Sequence, residues 1–176
     1  MNLLHNLPFV LRYIYIMYTV TNRERDYMKV RDFMITKVFT VKPSNTIKEL
    51  IEVLTSNRIG GVPVVDDRGH LVGMVSDGNV LRYLSPKPIG FAGLVYILED
   101  VEYDEVLQEK LNTPVKQIMT KRSIISVSPD EDFERTLQLL ARHRYKKLPV
   151  VNGVGRVIGV LSRGDLIYNL QKKILL

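Results

Sequence analysis

Apolar residues along this chain keep two rhythms, and each rhythm occurs twice. From Ile47 they fall at Leu50, Ile51 and Leu54, the spacing of a helix with one face against a sheet, after a start signal at Pro43-Ser44-Asn45-Thr46. The rhythm then shortens: Val62 to Val65 and Leu71 to Val75 predict two strands joined across Asp67-Arg68-Gly69, and Val80, Leu81 and Leu84 mark the inner side of a closing helix. With Lys37 to Val41 as a leading strand, the predicted order is β-α-β-β-α. The second half repeats it, with a strand from Ser123 to Val127, a helix turning Phe133, Leu137 and Leu140 inward, a hairpin around Asn152-Gly153-Val154-Gly155, and Leu166, Ile167 and Leu170 on a last helix. A strand-helix-strand crossover gives parallel pairing and a hairpin gives antiparallel pairing, so each small sheet is expected to be mixed, with helices on one face.

The two halves are copies. Sliding the sequence by 86 positions lays Gly60 to Val65 on Lys146 to Val151, and Gly73-Met74-Val75-Ser76-Asp77-Gly78-Asn79 on Gly159-Val160-Leu161-Ser162-Arg163-Gly164-Asp165. The register holds without a gap from Pro43 and Pro129 to Leu84 and Leu170; upstream, Val30-x-x-x-Met34 matches Val115-x-x-x-Met119 after one inserted residue. Repeats of roughly 55 residues are marginal alone, so they are expected to pack on each other.

The candidate chemistry lies where the last strand of each repeat hands over to its closing helix. Unpaired N–H groups and a partial positive charge at a helix start suit a phosphate. Ser162 adds a hydroxyl there, and Arg163 and Gly164 complete a polar first turn. Asp165, three residues on, brings a carboxylate to the same side, where it can accept hydrogen bonds from a pair of sugar hydroxyls. The plainer reading of Ser-x-x-Asp before an apolar helix is a capping box that satisfies the helix's own N–H groups.

Strand-Pro-strand followed by Gly-h-h-Ser-x-x-Asp, twice in one chain, resembles the CBS domain, the cystathionine-β-synthase-type regulatory unit, over about residues 30–84 and 115–170. The tandem resembles a Bateman module. That resemblance implies an α+β fold of two repeats related by a pseudo-twofold axis, and an adenosine-containing ligand of the AMP, ADP or ATP type between them. It assigns Ser162 to phosphate, Asp165 to ribose, and the backbone around Lys146, Lys147 and Pro149, with Ile124 and Ile125, to the adenine slot; Tyr145, just before that stretch, is counted among the ligand-binding residues. In the first repeat Ser76 is kept, but Asn79 stands where the pattern has Asp. Ser76, Asn79, Gly61 and Pro63 are therefore expected to form a weaker second site. The resemblance further implies a non-catalytic sensor that forms a homodimer through its closing helices and signals to a protein effector.

Composition narrows this reading. Zero cysteines exclude disulfides and thiolate metal sites, and fit a cytoplasmic protein; His5, His70 and His143 have no metal-ligand spacing. Net charge is +6, with the basic excess in the second repeat, largely Arg142-His143-Arg144-Tyr145-Lys146-Lys147. That excess raises a competing class, a nucleic-acid-binding or scaffold protein, against which stands the lack of a recognition helix or stacking platform. The apolar run Leu7 to Tyr18 is interrupted by Arg12 and falls short of the roughly 20 residues a membrane span needs. Residues 1–29 are accordingly taken as an extension, with Met28 as the expected native start. Residues 85–114 are read as a connecting helical segment, apolar from Phe91 to Leu98 and acidic after it, and residues 115–176 as the second repeat.

Overall fold

The computed structural model describes residues 28–85, 103–141 and 146–174. The early apolar run, the Phe91 to Leu98 stretch and the basic residues 142–145, Tyr145 among them, lie outside the described residues. In chain order the elements are α1 (Ile47–Ser56), β1 (Gly61–Val65), β2 (Leu71–Ser76), α2 (Asp77–Leu84), α3 (Tyr103–Leu111), α4 (Phe133–Ala141), β3 (Lys147–Val151), β4 (Val157–Ser162) and α5 (Arg163–Ile174). The fold is α+β.

The duplication persists residue by residue in the strand registers. β1 and β2 pair antiparallel through Gly61 with Ser76, Val62 with Val75 and Pro63 with Met74; β3 and β4 pair through Lys147 with Ser162, Leu148 with Leu161 and Pro149 with Val160. Both hairpins carry their irregularity at the same place, between Val64 and Val65 and between Val150 and Val151. The leading strands are shorter than the sequence implies: of Lys37 to Val41 only Val41 pairs, parallel to Val64, and of Ser123 to Val127 only Val127 pairs, with Val150. Each stub makes two backbone bonds, Val41 N to Pro63 O and Val65 N to Val41 O in one half, Val127 N to Pro149 O and Val151 N to Val127 O in the other. Apolar alternation predicted longer strands because it reports burial, and here side chains on an irregular segment fill the core edge without a ladder.

Capping explains why α1 begins at Ile47. Thr46 Oγ1 accepts from Glu49 N at 3.2 Å, and Glu49 Oε2 accepts from Thr46 N at 2.7 Å, so two otherwise unpaired N–H groups are satisfied reciprocally. The Asn45 amide, which donates to Glu49 Oε2 at 3.0 Å, and after it the Thr46 N–H hold the Glu49 carboxyl below its ordinary range. α1 buries Ile47, Leu50 and Leu54 in the core of the first repeat, and α4 buries Phe133 and Leu140 in that of the second, with Leu137 packed against it.

Each repeat's leading arm crosses to the other repeat. Val30 and Phe33 are buried in the second core among Phe133, Leu148 and Leu161, where the Phe33 ring stacks on Phe133 at 3.8 Å; Val115 is buried in the first core among Val41, Leu50 and Val64. Ile35 exchanges backbone bonds with Val160 at 2.8 and 3.0 Å, and Thr120 with Met74 at 2.8 and 3.0 Å. The crossing explains the recurring Val-x-x-x-Met and the glycine four positions before each helix start: a Cβ at Gly73 would lie 2.7 Å from Met119 Sδ, and one at Gly159 would lie 2.7 Å from Met34 Sδ. The hairpin tips meet as well, Leu71 N donating to Gly155 O and Val157 N to Gly69 O, at glycines whose φ of +79° and +82° turns their carbonyls toward the opposite strand.

Two inward assignments are corrected. Leu81 is 67% exposed and its repeat mate Ile167 66% exposed, whereas Val80 and Leu166 are buried. On such short helices the buried stripe is narrower than apolar spacing suggests, and each of these leucine or isoleucine side chains lies beyond its edge. Within the connecting segment α3 packs on the first repeat, with Leu111 against its core, Thr113 Oγ1 3.0 Å from the Tyr83 hydroxyl and the Lys110 ammonium over the Tyr83 ring.

Candidate functional site

The two strand-to-helix junctions are built alike. Gly60 O accepts from Asp77 N at 3.1 Å and Lys146 O from Arg163 N at 3.2 Å, so in each half the chain before the first hairpin strand closes onto the helix start. Pro63 and Pro149 are buried in the strands beside them.

At the second junction Ser162 is half-buried, its Oγ accepts from Asp165 N at 3.2 Å, and the same hydroxyl donates to Asp165 Oδ2. The capping reading of Ser-x-x-Asp is therefore present, and it holds both groups on the first turn of α5. Arg163 and Asp165 are half-buried and Gly164 is exposed. Ile124 and Ile125 are half-buried just before Val127, Ile125 against the second core, after Ser123, whose φ of +57° bends the arm into place. Lys146 is exposed and contributes its carbonyl.

Lys147 differs from its neighbours. Its Nζ donates to Gly61 O at 2.8 Å, across the boundary between repeats. Burial pulls its pKa below the ordinary lysine value, and the negative charge of Asp165 offsets part of that fall. Because Lys147 pairs with Ser162 and Gly61 pairs with Ser76, this single bond ties the ends of both hairpins, and with them both helix starts, to one place.

At the first junction the same positions are differently used. Asn79 Oδ1 accepts from Ser76 N at 3.1 Å and from Ser76 Oγ at 2.8 Å, while its Nδ2 donates to Ile118 O at 2.9 Å on the crossing arm. Asp77 stands where the second junction has Arg163, and Val38 and Phe39 where it has Ile124 and Ile125. Gly61 O, the backbone group nearest Ser76 on β1, is the acceptor of the Lys147 ammonium.

Of the residues singled out from sequence, Ser162, Arg163, Gly164, Asp165, Lys146, Lys147 and Pro149 come together around one helix start; Tyr145 lies outside the described residues. Sequence reasoning took Lys147 for its backbone and missed its side chain, although the 86-residue slide that sets lysine on glycine was a signal that the two halves differ there. It also missed the second function of the Asn79 amide, which depends on an arm arriving from the other repeat. Among the described residues no group of three or more His, Cys, Asp or Glu is placed to hold a metal ion, and no helix is long and apolar enough to cross a membrane.

Two hairpin-and-helix halves, each completed by the other's arm and joined at their strand ends, define a paired-repeat α+β module with a polar helix start in each half. The CBS domain family profile matches residues 30–86 and 115–172, and the chain belongs to the CBS domain family. It is 30% identical over 158 residues to the uncharacterized protein MJ1426 of Methanocaldococcus jannaschii, covering 83% of this chain and 93% of that one. The crystal structure of CBSX2 in complex with AMP is 29% identical, with a TM-score of 0.64 over 82% of this chain and 96% of that one; CBSX2 is a chloroplastic protein of Arabidopsis thaliana, and the chain spans 61% of its full length. Similarity to the inosine-5'-monophosphate dehydrogenase of Mycobacterium tuberculosis, 31% over 138 residues, spans only 21% of that enzyme.

Proposed function

We propose that this CBS pair is a regulatory module that binds an adenine nucleotide, AMP, ADP or ATP, at the second junction and reports its occupancy to a protein effector. Phosphate binds the start of α5 with Ser162, Arg163 and Gly164 as donors, ribose hydroxyls donate to Asp165, and adenine lies along the backbone from Lys146 through Lys147 to Pro149, beside Ile124 and Ile125. The observation that carries this reading is the difference between the junctions: the second has a carboxylate at the ribose position and a cation beside the helix start, where the first has an amide and an aspartate. Support from a relative comes from CBSX2, which was crystallised with AMP. The exposed Leu81, Ile167 and Tyr168 on the closing helices form the apolar faces through which two copies would pair.

Calorimetric titration with AMP, ADP, ATP and GMP tests it. At least one adenosine nucleotide is expected to bind, and to bind more tightly than GMP, because main-chain groups at the slot read the edge of the base. Equal affinity for GMP and AMP would remove the adenine assignment, and absence of binding to all four would remove the function.

A further inference from the structure

We propose that Lys147 closes the first junction to ligand and confines this chain to a single nucleotide, held at the second. The inference rests on the nucleotide-binding reading above and goes beyond it to occupancy. Lys147 and Gly61 are repeat mates, 86 positions apart, so a bond between them joins a residue to its own counterpart and lies where the two halves are exchanged. Only one long side chain fits such a place. Gly61 has none to reciprocate, and a Cβ there would sit tightly, 3.0 Å from Val75 O and 3.1 Å from Ser76 Cβ. The strand that reads adenine at the second junction, Lys146 to Pro149, corresponds at the first to Gly60 to Pro63, and there the Gly61 carbonyl already accepts from the ammonium. A base competing for that edge must displace a half-buried cation from its hydrogen bond. Asn79 adds a second, independent closure, with both ends of its amide bonded, to Ser76 and to Ile118. Lys147 thus works in opposite senses on the two sides: it covers the backbone edge of the first junction and keeps its positive charge near Asp165 at the second.

The test is the AMP stoichiometry of the full chain by calorimetry, in the wild type, Asn79→Asp and the double variant Lys147→Met/Asn79→Asp. Wild type and Asn79→Asp are each expected to bind one AMP per chain, because the Lys147 donor to Gly61 O is retained in both. The double variant is expected to bind at the first junction, as a site that persists when Asp165→Asn is added to it. A second site in the wild type or in Asn79→Asp alone overturns the inference while leaving the functional reading intact, and so does a double variant that folds and whose AMP binding is lost when Asp165→Asn is added. A wild-type chain that binds no nucleotide overturns both. A measurement on the wild type needs no double variant: the Gly61 carbonyl carbon-13 resonance is expected to move in Lys147→Met and to stay in place when the wild type is saturated with AMP. Should AMP shift it as Lys147→Met does, the ligand is displacing the lysine and the first junction is open.

Discussion

The arm of each repeat presents the same carbonyl to the body of the other, Ile118 O to the first half and Phe33 O to the second, but different residues take hold of it. In the first half the donor is Asn79, on the opening turn of α2; in the second it is Asn169, whose Nδ2 reaches Phe33 O at 3.0 Å from one turn further along α5. Moving the clasp by one turn releases the position at the helix start from holding the arm. Asn79 must be an amide, because it has to accept from Ser76 and donate to Ile118 at once. Asp165 has no donor to give and is not asked for one, so a carboxylate can stand there. The duplicated fold becomes unequal at its two helix starts through the placement of one backbone clasp.

The largest expected effect breaks the arms themselves. Phe33→Ala removes a fully buried ring stacked on Phe133 and should cost about 3–5 kcal/mol in denaturant unfolding. Its mate Ile118 is half-buried, and Ile118→Ala should cost about 1–2 kcal/mol. Equal costs would mean that the two crossings matter equally and that the second core is not the more dependent on its arm.

Next comes Asp165→Asn, which makes the two helix starts alike. Asn79 already caps α2 through Ser76, so an amide at 165 should cap α5 and change unfolding free energy by no more than about 0.5 kcal/mol. AMP affinity should nevertheless fall roughly tenfold or more, since hydrogen bonds to a charged acceptor are weakened. The thermal shift at fixed AMP would shrink accordingly. Unchanged affinity would return Ser162-x-x-Asp165 to being a cap alone.

A smaller effect follows from pH. Burial holds Lys147 below its usual 10.5, so the unfolded chain keeps its proton to higher pH than the folded chain does. Stability of the wild type should therefore rise, relative to Lys147→Met, as pH approaches the ordinary lysine value of 10.5 from below, as read by melting temperature. A flat difference would show that the ammonium is better solvated than its position implies.

Smallest of all is the ionic fringe where the first arm meets α4. Lys29 pairs with Asp132 at 2.6 Å and Arg31 pairs with Asp130, both exposed; at the corresponding place in the first half Pro114 meets Thr46. The Lys29 contact holds Asp132 below its ordinary range. Lys29→Ala should lower the melting temperature slightly at low salt and hardly at all at about 1 M salt, where screening removes exposed pairs.

What was legible in the sequence follows from how each feature is encoded. The hairpins were legible because alternation, a glycine turn and a repeated Pro-Val-Val sit within a few residues of one another; α1 and α4 were legible because their buried faces recur three and four apart. The leading strands were misread as longer than they are, since apolar residues at a core edge look the same whether or not a ladder forms. Leu81 and Ile167 were misplaced because spacing gives a face but not its width.

By itself the sequence determined the duplication, the α+β class, the residue-by-residue correspondence of the halves under the 86-residue shift, and the candidate group Ser162 to Asp165. All of these rest on contacts between residues near in the chain, or on one half copying the other. Only the tertiary structure decided that the arms cross, that Asn79 is held by Ile118 and Phe33 by Asn169, and that Lys147 reaches Gly61. Each of those joins residues from opposite repeats across a boundary that no local periodicity records, and a single hydrogen bond to a backbone carbonyl leaves no trace in the identity of the residue that accepts it.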